Sequence, residues 1–275
     1  MTHIARFAFA ALVLGTAACR AAQAPAPAAP ALDLSATRLV DLSHAYDETT
    51  LYWPTSPSAF EVKTLAEGMT PGGYYYSSFA FCTPEHGGTH LDAPIHFAQG
   101  GRTTGELPLT QLVAPAVVID VTAAAAADPA YLVTRADVEA FEKAHGRIRA
   151  GSMALVRTGW SRFWPNRKQY FGDDTPGDAS KLRFPGFGED AVRLLVEERK
   201  VAILGIDTAS IDYGPSTSFI AHRIGAAAGV ANLENLTNLD ALPPVGALVV
   251  ALPVKVAKGS GGPARVVALV PAASD

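Results

Sequence analysis

Residues 86–97 read His-Gly-Gly-Thr-His-Leu-Asp-Ala-Pro-Ile-His-Phe, and no other stretch restricts the folded chain as tightly. Pro94 excludes a regular helix through its own position and biases Ala93 toward extended backbone, while Gly87 and Gly88 permit turns closed to other residues. Side chains of an extended segment alternate between faces, so His90, Asp92 and His96 are expected on one side, with His86 brought in by the glycine turn. Three of the seven histidines and an aspartate thus fall within eleven residues. Imidazole and carboxylate without thiolate suit zinc or manganese in a hydrolytic centre better than a cysteine-rich structural zinc. A loop of separately hydrogen-bonded histidines is the competing reading; it explains one such residue better than four at these offsets.

The remainder of the chain supplies a core for this stretch. Of 275 residues 49% are hydrophobic and 17% charged, which gives no case for disorder away from the ends. The net charge of -4 comes without a long basic run, so a nucleic-acid partner is excluded by the lack of a clustered Lys/Arg surface. Short apolar runs at Arg38–Ser43, Val117–Val121, Met153–Val156, Val201–Ile206, Ala247–Leu252 and Arg265–Val270 read as strands, most of them buried. Tyr74–Phe81 reads as a strand running into the histidine stretch. Helices are predicted over Thr134–His145, with Gly146 as its stop, and over Glu189–Lys200. Alternating strands and helices define an α/β domain, and the number of strands before residue 121 argues against a plain doubly wound sheet. Residues 166–188 form the longest expected irregular segment, suited to bordering a pocket.

The first residues carry a separate message. His3 and Arg6 precede an apolar run of twelve, Phe7–Ala18, too short for a bilayer that needs about 20 residues, so residues 1–18 are expected to be an export signal. Leu14-Gly15-Thr16-Ala17-Ala18-Cys19 resembles a bacterial lipoprotein processing site, with Thr16 where Leu is usual; Cys19 would then carry a lipid anchor. Ordinary cleavage near Ala18 or Ala22 is the alternative. Residues 19–31, rich in Ala and Pro, are expected to be a tether, and 32–275 the folded domain. The expectation is an exported, periplasmic protein, membrane-anchored if lipidated. Cys82 is left without a disulfide partner.

Away from the opening stretch, His222 and the isolated carboxylate Glu234 are the best remote partners, although spacing alone assigns neither. Asp207 and Asp212 end a buried strand, where α/β folds commonly place functional groups, but they read somewhat better as turn caps. Trp53, before Pro54, reads from its context as a packing plug sooner than as a ligand wall. His44 and His145 are taken as structural, the latter favoured electrostatically at a helix C-terminus. No G-x-S-x-G elbow, Walker loop or G-x-G-x-x-G turn occurs, which leaves serine-nucleophile and nucleotide chemistry without support.

The run HGGTHLDAPIHF, with RTGW at 157–160, GIDTASID at 205–212 and GSGGPARVVAL near the end, resembles the metal-dependent cyclase family that includes bacterial kynurenine formamidases and isatin hydrolases. The resemblance spans essentially the whole chain after the tether. It implies a swivelling β/β/α single domain and a site of two divalent metal ions, Zn or Mn. It casts His86, His90 and Asp92 as ligands of the first ion, Asp92 as also reaching the second, His222 as a ligand of the second, and Glu234 as touching both. His96 would carry a proton and not a metal. Trp53 would contact substrate across a homodimer interface, and Ser210 would line the substrate site. The implied substrate is a small amide cleaved at its C-N bond. The Ser210–Gly214 run and the GSGGP ending lean toward isatin hydrolases, leaving N-formylkynurenine and isatin-like cyclic amides both open. A non-catalytic exported metal-binding protein and a lyase or true cyclase are the competing functions.

Overall fold

The computed structural model describes residues 34–272. Its strands in chain order are β1 Thr37–Asp41, β2 Glu61–Met69, β3 Tyr75–Cys82, β4 His90–Asp92, β5 Val113–Asp120, β6 Leu132–Val133, β7 Met153–Arg157, β8 Gly186–Phe187, β9 Ile203–Ile206, β10 Ala231–Glu234, β11 Val245–Pro253 and β12 Gly261–Pro271. The helices are α1 Leu109–Leu112, α2 Thr122–Ala127, α3 Arg135–His145, α4 Arg167–Phe171, α5 Glu189–Arg193 and α6 Ile220–Ala227. The export segment, the tether and Cys19 lie outside the described residues.

Eight strands form one mixed sheet in the order β1-β12-β11-β5-β7-β9-β10-β4. β4 pairs with β12 as well as with β10, so seven strands close into a barrel-like ring while β1 extends the other end of β12. Strand periodicity sorts the apolar residues into two layers. Ala116, Val118, Met153, Leu155 and Ile203 share one core with Val249, Ala251, Val266 and Ala268. The alternate residues Val117, Ile119, Ala154, Val156, Leu204 and Ile206 face the other way, against Val138 and Phe141 of α3 and Val192 of α5. The parallel strands β5, β7 and β9 are therefore covered on both sides, which is why they read as unbroken apolar runs. β11 and β12 are covered on one side only, leaving Leu252 and Arg265 exposed.

α3 starts where its cap places it: the Thr134 hydroxyl accepts the Asp137 amide and the Asp137 carboxylate accepts the Thr134 amide. The segment expected to be one helix over Glu189–Lys200 is α-helical only to Arg193 and widens into a π turn over Leu194–Glu198. Leu194, Leu195 and Val196 are buried in succession there, a broader inward face than a regular helix presents.

One further expectation is filled in and another changes. Residues 166–188 are mostly irregular, as expected, but they also hold α4 and β8, and Tyr170, Phe171, Leu182 and Phe184 are all buried, in a third core with Leu51 and Trp160. The strand expected at Tyr74–Phe81 exists one residue along but does not continue into the main sheet; it pairs with β2 alone in a separate two-stranded sheet.

Candidate metal centre

The site is assembled where β4 meets β10. Leu91 and Leu233 point into the first core, so their neighbours His90, Asp92 and Glu234 project from the opposite face. The antiparallel register sets Glu234 directly across from His90. The expected extended face is therefore real for His90 and Asp92. It ends there, because Pro94–His96 is a 3-10 turn, and His96 reaches the site from that turn, its ring stacked on His86 at a centroid distance of 3.8 Å.

His86 is delivered by the glycine turn. Gly88 has φ +58°, and a Cβ there would run into the ring of Tyr46. The Tyr46 hydroxyl sits 2.5 Å from the Gly87 carbonyl and 2.8 Å from that of Thr89. Asn235 donates to the Gly88 carbonyl, and the Thr89 hydroxyl donates to the Asn235 carbonyl, tying this turn to the end of β10. His222 comes from α6, whose first amides are accepted by Asp212.

Two overlapping groups of side chains converge: His86, His90 and Asp92, and Asp92, His222 and Glu234, with the donor atoms of each group within 4.8 Å of one another. All but His86 are buried. The five residues expected as ligands are thus brought together from four parts of the chain, and Asp92 stands between the two groups.

Hydrogen bonding around the cluster tests whether a cation suits it. The Gly88 carbonyl accepts from Nδ1 of His90 at 3.0 Å, and the Asp212 carboxylate accepts from Nδ1 of His222 at 2.7 Å. Ser260 donates to the Glu85 carboxylate at 2.6 Å, so its oxygen accepts from Nε2 of His86 at 2.9 Å. Each ring thereby spends one N–H on an outer acceptor and turns its other nitrogen toward carboxylate oxygens: His86 Nδ1 to Asp92 at 2.7 Å, His90 Nε2 to Asp92 at 3.1 Å, His222 Nε2 to Glu234 at 3.1 Å. His90 Nε2 is buried with no geometrically sound hydrogen bond. Lone pairs facing carboxylates require either extra protons or a cation between them, and nitrogen and oxygen donors of this kind suit a divalent metal.

The titration behaviour follows from the same geometry. Burial opposes a charge on His90, but Asp92 and Glu234 outweigh it and raise its pKa to about 9. His222 is raised well above the usual histidine range against burial by Asp212, Asp92 and Glu234. Asp92 is held well below the usual carboxylate range, burial being overcome by the His90 charge and by hydrogen bonds from His222, His86 and His90. His96 behaves oppositely: enclosure by the protein, helped by the charges of His86, His222 and His90 and resisted by Asp92, lowers its pKa to about 4.

A cavity of about 380 Å³ opens on the cluster. Its walls include Leu51, Trp53, Phe97, Phe171 and Phe219, and His96 and Ser210 also line it. Trp53 packs edge-on to Phe184 and lines the cavity, so it serves both as a packing residue and as part of the cavity wall. His44 stacks on Trp164 and His145 lies against Phe141, so both are structural as expected. Asp207 caps the turn at 158–160 through its carboxylate. Asp212 does more than cap: it holds His222. Glu85 and Ser260, which hold His86, were not singled out by the sequence; the Ser260 position lies inside the GSGGP run, but nothing local marks it as a partner of a residue 174 positions away.

A closed mixed sheet carrying a buried His/Asp/Glu cluster beneath an aromatic cavity defines an α/β domain able to bind metal. The family model described as "Putative cyclase" matches residues 40–213, and the chain belongs to that family. It is 36% identical over 221 residues to an isatin hydrolase of Roseibium aggregatum, covering 78% of this chain and 82% of that one. It is 28% identical over 229 residues to a kynurenine formamidase of Salinibacter ruber, covering 83% and 96%. Among solved structures, isatin hydrolase A from Ralstonia solanacearum superposes with a TM-score of 0.77 at 33% identity over 86% of this chain and 93% of that chain.

Proposed function

We propose that the protein is a metal-dependent hydrolase that cleaves the C-N bond of a small aryl amide, with His86, His90, Asp92, His222 and Glu234 as ligands of two divalent ions, Zn or Mn. The observation that carries this reading is the set of inward-facing nitrogens of His86, His90 and His222, each ring oriented by an outer hydrogen bond, gathered around the carboxylates of Asp92 and Glu234. Bound there, divalent ions supply Lewis acidity toward a carbonyl oxygen and make water a stronger nucleophile at neutral pH. The chain's own residues do the rest. The aromatic walls Trp53, Phe97, Phe171 and Phe219 seat an aryl ring by apolar contact and exclude water around it. His96 is neutral at pH 7 and open to the cavity, so its ring accepts a proton from attacking water and returns it to the departing nitrogen, which an anilide needs in order to leave. Ser210 contributes a polar group to the cavity wall.

Hydrolysis of N-formylkynurenine-like formanilides is one substrate reading, supported by the likeness to kynurenine formamidases; opening of an isatin-like cyclic amide is the second, supported by the 36% identity to the Roseibium isatin hydrolase. Metal-replete protein assayed on N-formylkynurenine and isatin side by side decides between them. Full metal occupancy with no turnover on formanilides, cyclic imides and lactams would overturn the hydrolase in favour of metal storage. Failure of oxygen from labelled water to enter the product would overturn it in favour of a lyase. The protein is further proposed to be exported to the periplasm, either lipidated on Cys19 after cleavage behind residue 18 or released by ordinary cleavage near Ala18 or Ala22, and to act as a homodimer; mass spectrometry of the mature N-terminus decides between the two forms of processing.

A further inference from the structure

The runs RTGW at 157–160 and GIDTASID at 205–212 supply none of the five ligand side chains, yet hydrogen bonds lead from both of them to one buried amide, that of Asn235. The Asp207 carboxylate accepts the backbone amides of Thr158, Gly159 and Trp160, which fixes the turn that carries Trp160. The Trp160 indole N–H donates to the Tyr170 carbonyl at 2.7 Å, and the Trp164 ring packs edge-on to the Tyr170 ring at 5.4 Å. Tyr170 is fully buried. Its hydroxyl donates to Oδ1 of Asn235 at 2.9 Å, with the Asp207 carbonyl its next acceptor at 3.3 Å. Asn235 follows the ligand position Glu234 and is itself buried. Its φ is +55°, a left-handed conformation that Asn and Asp reach more readily than other side-chain-bearing residues. Its backbone amide donates to the Thr208 carbonyl at 2.8 Å, and its carbonyl accepts the Thr89 hydroxyl at 2.7 Å. Nδ2 donates to the Gly88 carbonyl at 2.7 Å. A carbonyl only accepts, so the amino end of the side chain must face Gly88 and Oδ1 must face the phenol. Asp at this position would suit the backbone but set a carboxylate oxygen against the Gly88 carbonyl.

We propose that Asn235, with its amide fixed by Tyr170, is the positioning residue for the His90 ring: it holds the Gly88 carbonyl where that oxygen keeps the imidazole proton on Nδ1 and leaves Nε2 to an ion. The inference rests on the metal centre proposed above. The Gly88 carbonyl uses one lone pair on Asn235 and the other on Nδ1 of His90 at 3.0 Å. On the far side of the ring, Nε2 lies 3.1 Å from Asp92 and 3.4 Å from Glu234. Were the carbonyl to swing away, Nδ1 would lose its acceptor, and the proton would sit better on Nε2, facing those carboxylates. A protonated Nε2 has no lone pair for a metal. The choice between a ring that binds a cation and one that only donates a hydrogen bond thus runs through the Gly88 carbonyl, and Asn235 anchors it from 147 positions along the chain. α4 serves the site twice, since Tyr170 braces the amide while the next residue, Phe171, forms part of the cavity wall.

The test reads the histidine ring nitrogens of isotope-labelled, zinc-loaded protein by NMR, together with zinc affinity by chelator competition, for the wild type, Asn235→Ala and Tyr170→Phe. In the wild type His90 should bind through Nε2 and carry a proton on Nδ1 that exchanges slowly with solvent. In Asn235→Ala that proton should exchange about ten-fold faster and zinc affinity should fall by about ten-fold, the lower end of what loss of an outer partner commonly costs. Tyr170→Phe keeps the ring and removes only the hydroxyl, so it should move both readouts in the same direction by less. The Nδ1 proton of His222, held by Asp212, is the internal control and should not change in either variant. Wild-type His90 bound through Nδ1 overturns the proposal without recourse to any variant. Unchanged exchange and affinity in both variants overturns it too, and where Asn235→Ala does not fold, Tyr170→Phe and the wild type decide. Equal acceleration at His90 and His222 reports a general loosening and overturns the specific role. All of these results leave the metal centre standing, whereas a wild type that takes up no divalent metal overturns that centre and this role with it.

Discussion

The carboxylate of Asp212 lies 2.7 Å from Nδ1 of His222 and accepts the backbone amides of Ala221 and His222 as well. One side chain therefore fixes both the start of α6 and the ring that α6 carries, and it commits the other ring nitrogen to the cluster. Asp212→Ala should weaken metal binding by about 10- to 100-fold, as loss of an outer partner of a ligating histidine commonly does. Chelator competition measures this, and Asp212→Asn, which keeps an acceptor, should recover part of the loss. Equal affinities in wild type and both variants would remove the orienting role.

His96 is assigned a proton and no metal. His96→Ala should keep full metal content by elemental analysis while kcat falls by about 10²- to 10⁴-fold, the usual contribution of a positioned acid–base group. Turnover at the wild-type rate would remove the assignment, and loss of metal would make His96 a ligand instead.

Removal of metal should expose the protons that replace it. His90 has a folded pKa of about 9, against about 6.5 for an unfolded histidine. A raised folded pKa gives stability that is complete below about pH 6.5 and lost as pH rises through about 9. Thermal melts of chelator-treated protein should show Tm falling across that window, and metal-replete protein should fall less, because bound metal takes the protons' place. A flat profile in the stripped protein would contradict the coupling of His90 to Asp92 and Glu234.

Gly88→Ala tests the turn. Its φ of +58° disfavours any Cβ, and the added methyl would meet the Tyr46 ring. The backbone conformation alone should cost about 1 to 3 kcal/mol by denaturant melts, and displacement of Tyr46 should lower metal affinity in the same variant. A variant as stable as wild type would show that the turn can relax without disturbing His86.

Trp53→Ala should raise KM for an aryl substrate with metal content and kcat little changed, since the residue lines the cavity wall and touches no ligand among its ring contacts. A loss confined to kcat would instead give it a part in the chemical step.

Much of this site was legible along the chain because its densest part is local. His86, His90 and Asp92 fall within seven residues, and backbone rules for Gly and Pro already require them to turn and extend together. His96 was legible as a member, but through the wrong geometry, since a 3-10 turn and not strand alternation brings it in. The strands β5 and β7 announced themselves because burial on both faces demands unbroken apolar runs; β4 and β10, of three and four residues, carry too few positions to show a period. Residues 166–188 read as a loop because their anchors, Tyr170, Phe171, Leu182 and Phe184, bury against residues distant in sequence.

By itself the sequence determined which atoms could serve: the donors of the His86–His96 stretch, the lack of competing nucleophile or nucleotide motifs, and an α/β core able to carry them. Tertiary structure alone decided which nitrogen of each histidine faces inward. That choice is made by Gly88, Asp212 and Ser260, the last of them 174 residues along the chain from the ring it holds. It also decided that Glu234 stands across from His90 and that His222 meets Asp92, contacts made by strand register and by the placement of α6. Local propensity acts over a few neighbouring residues, whereas a metal cluster requires donors converging to within a few ångströms, and only closure of the β4–β10 and β4–β12 seams brings these that close.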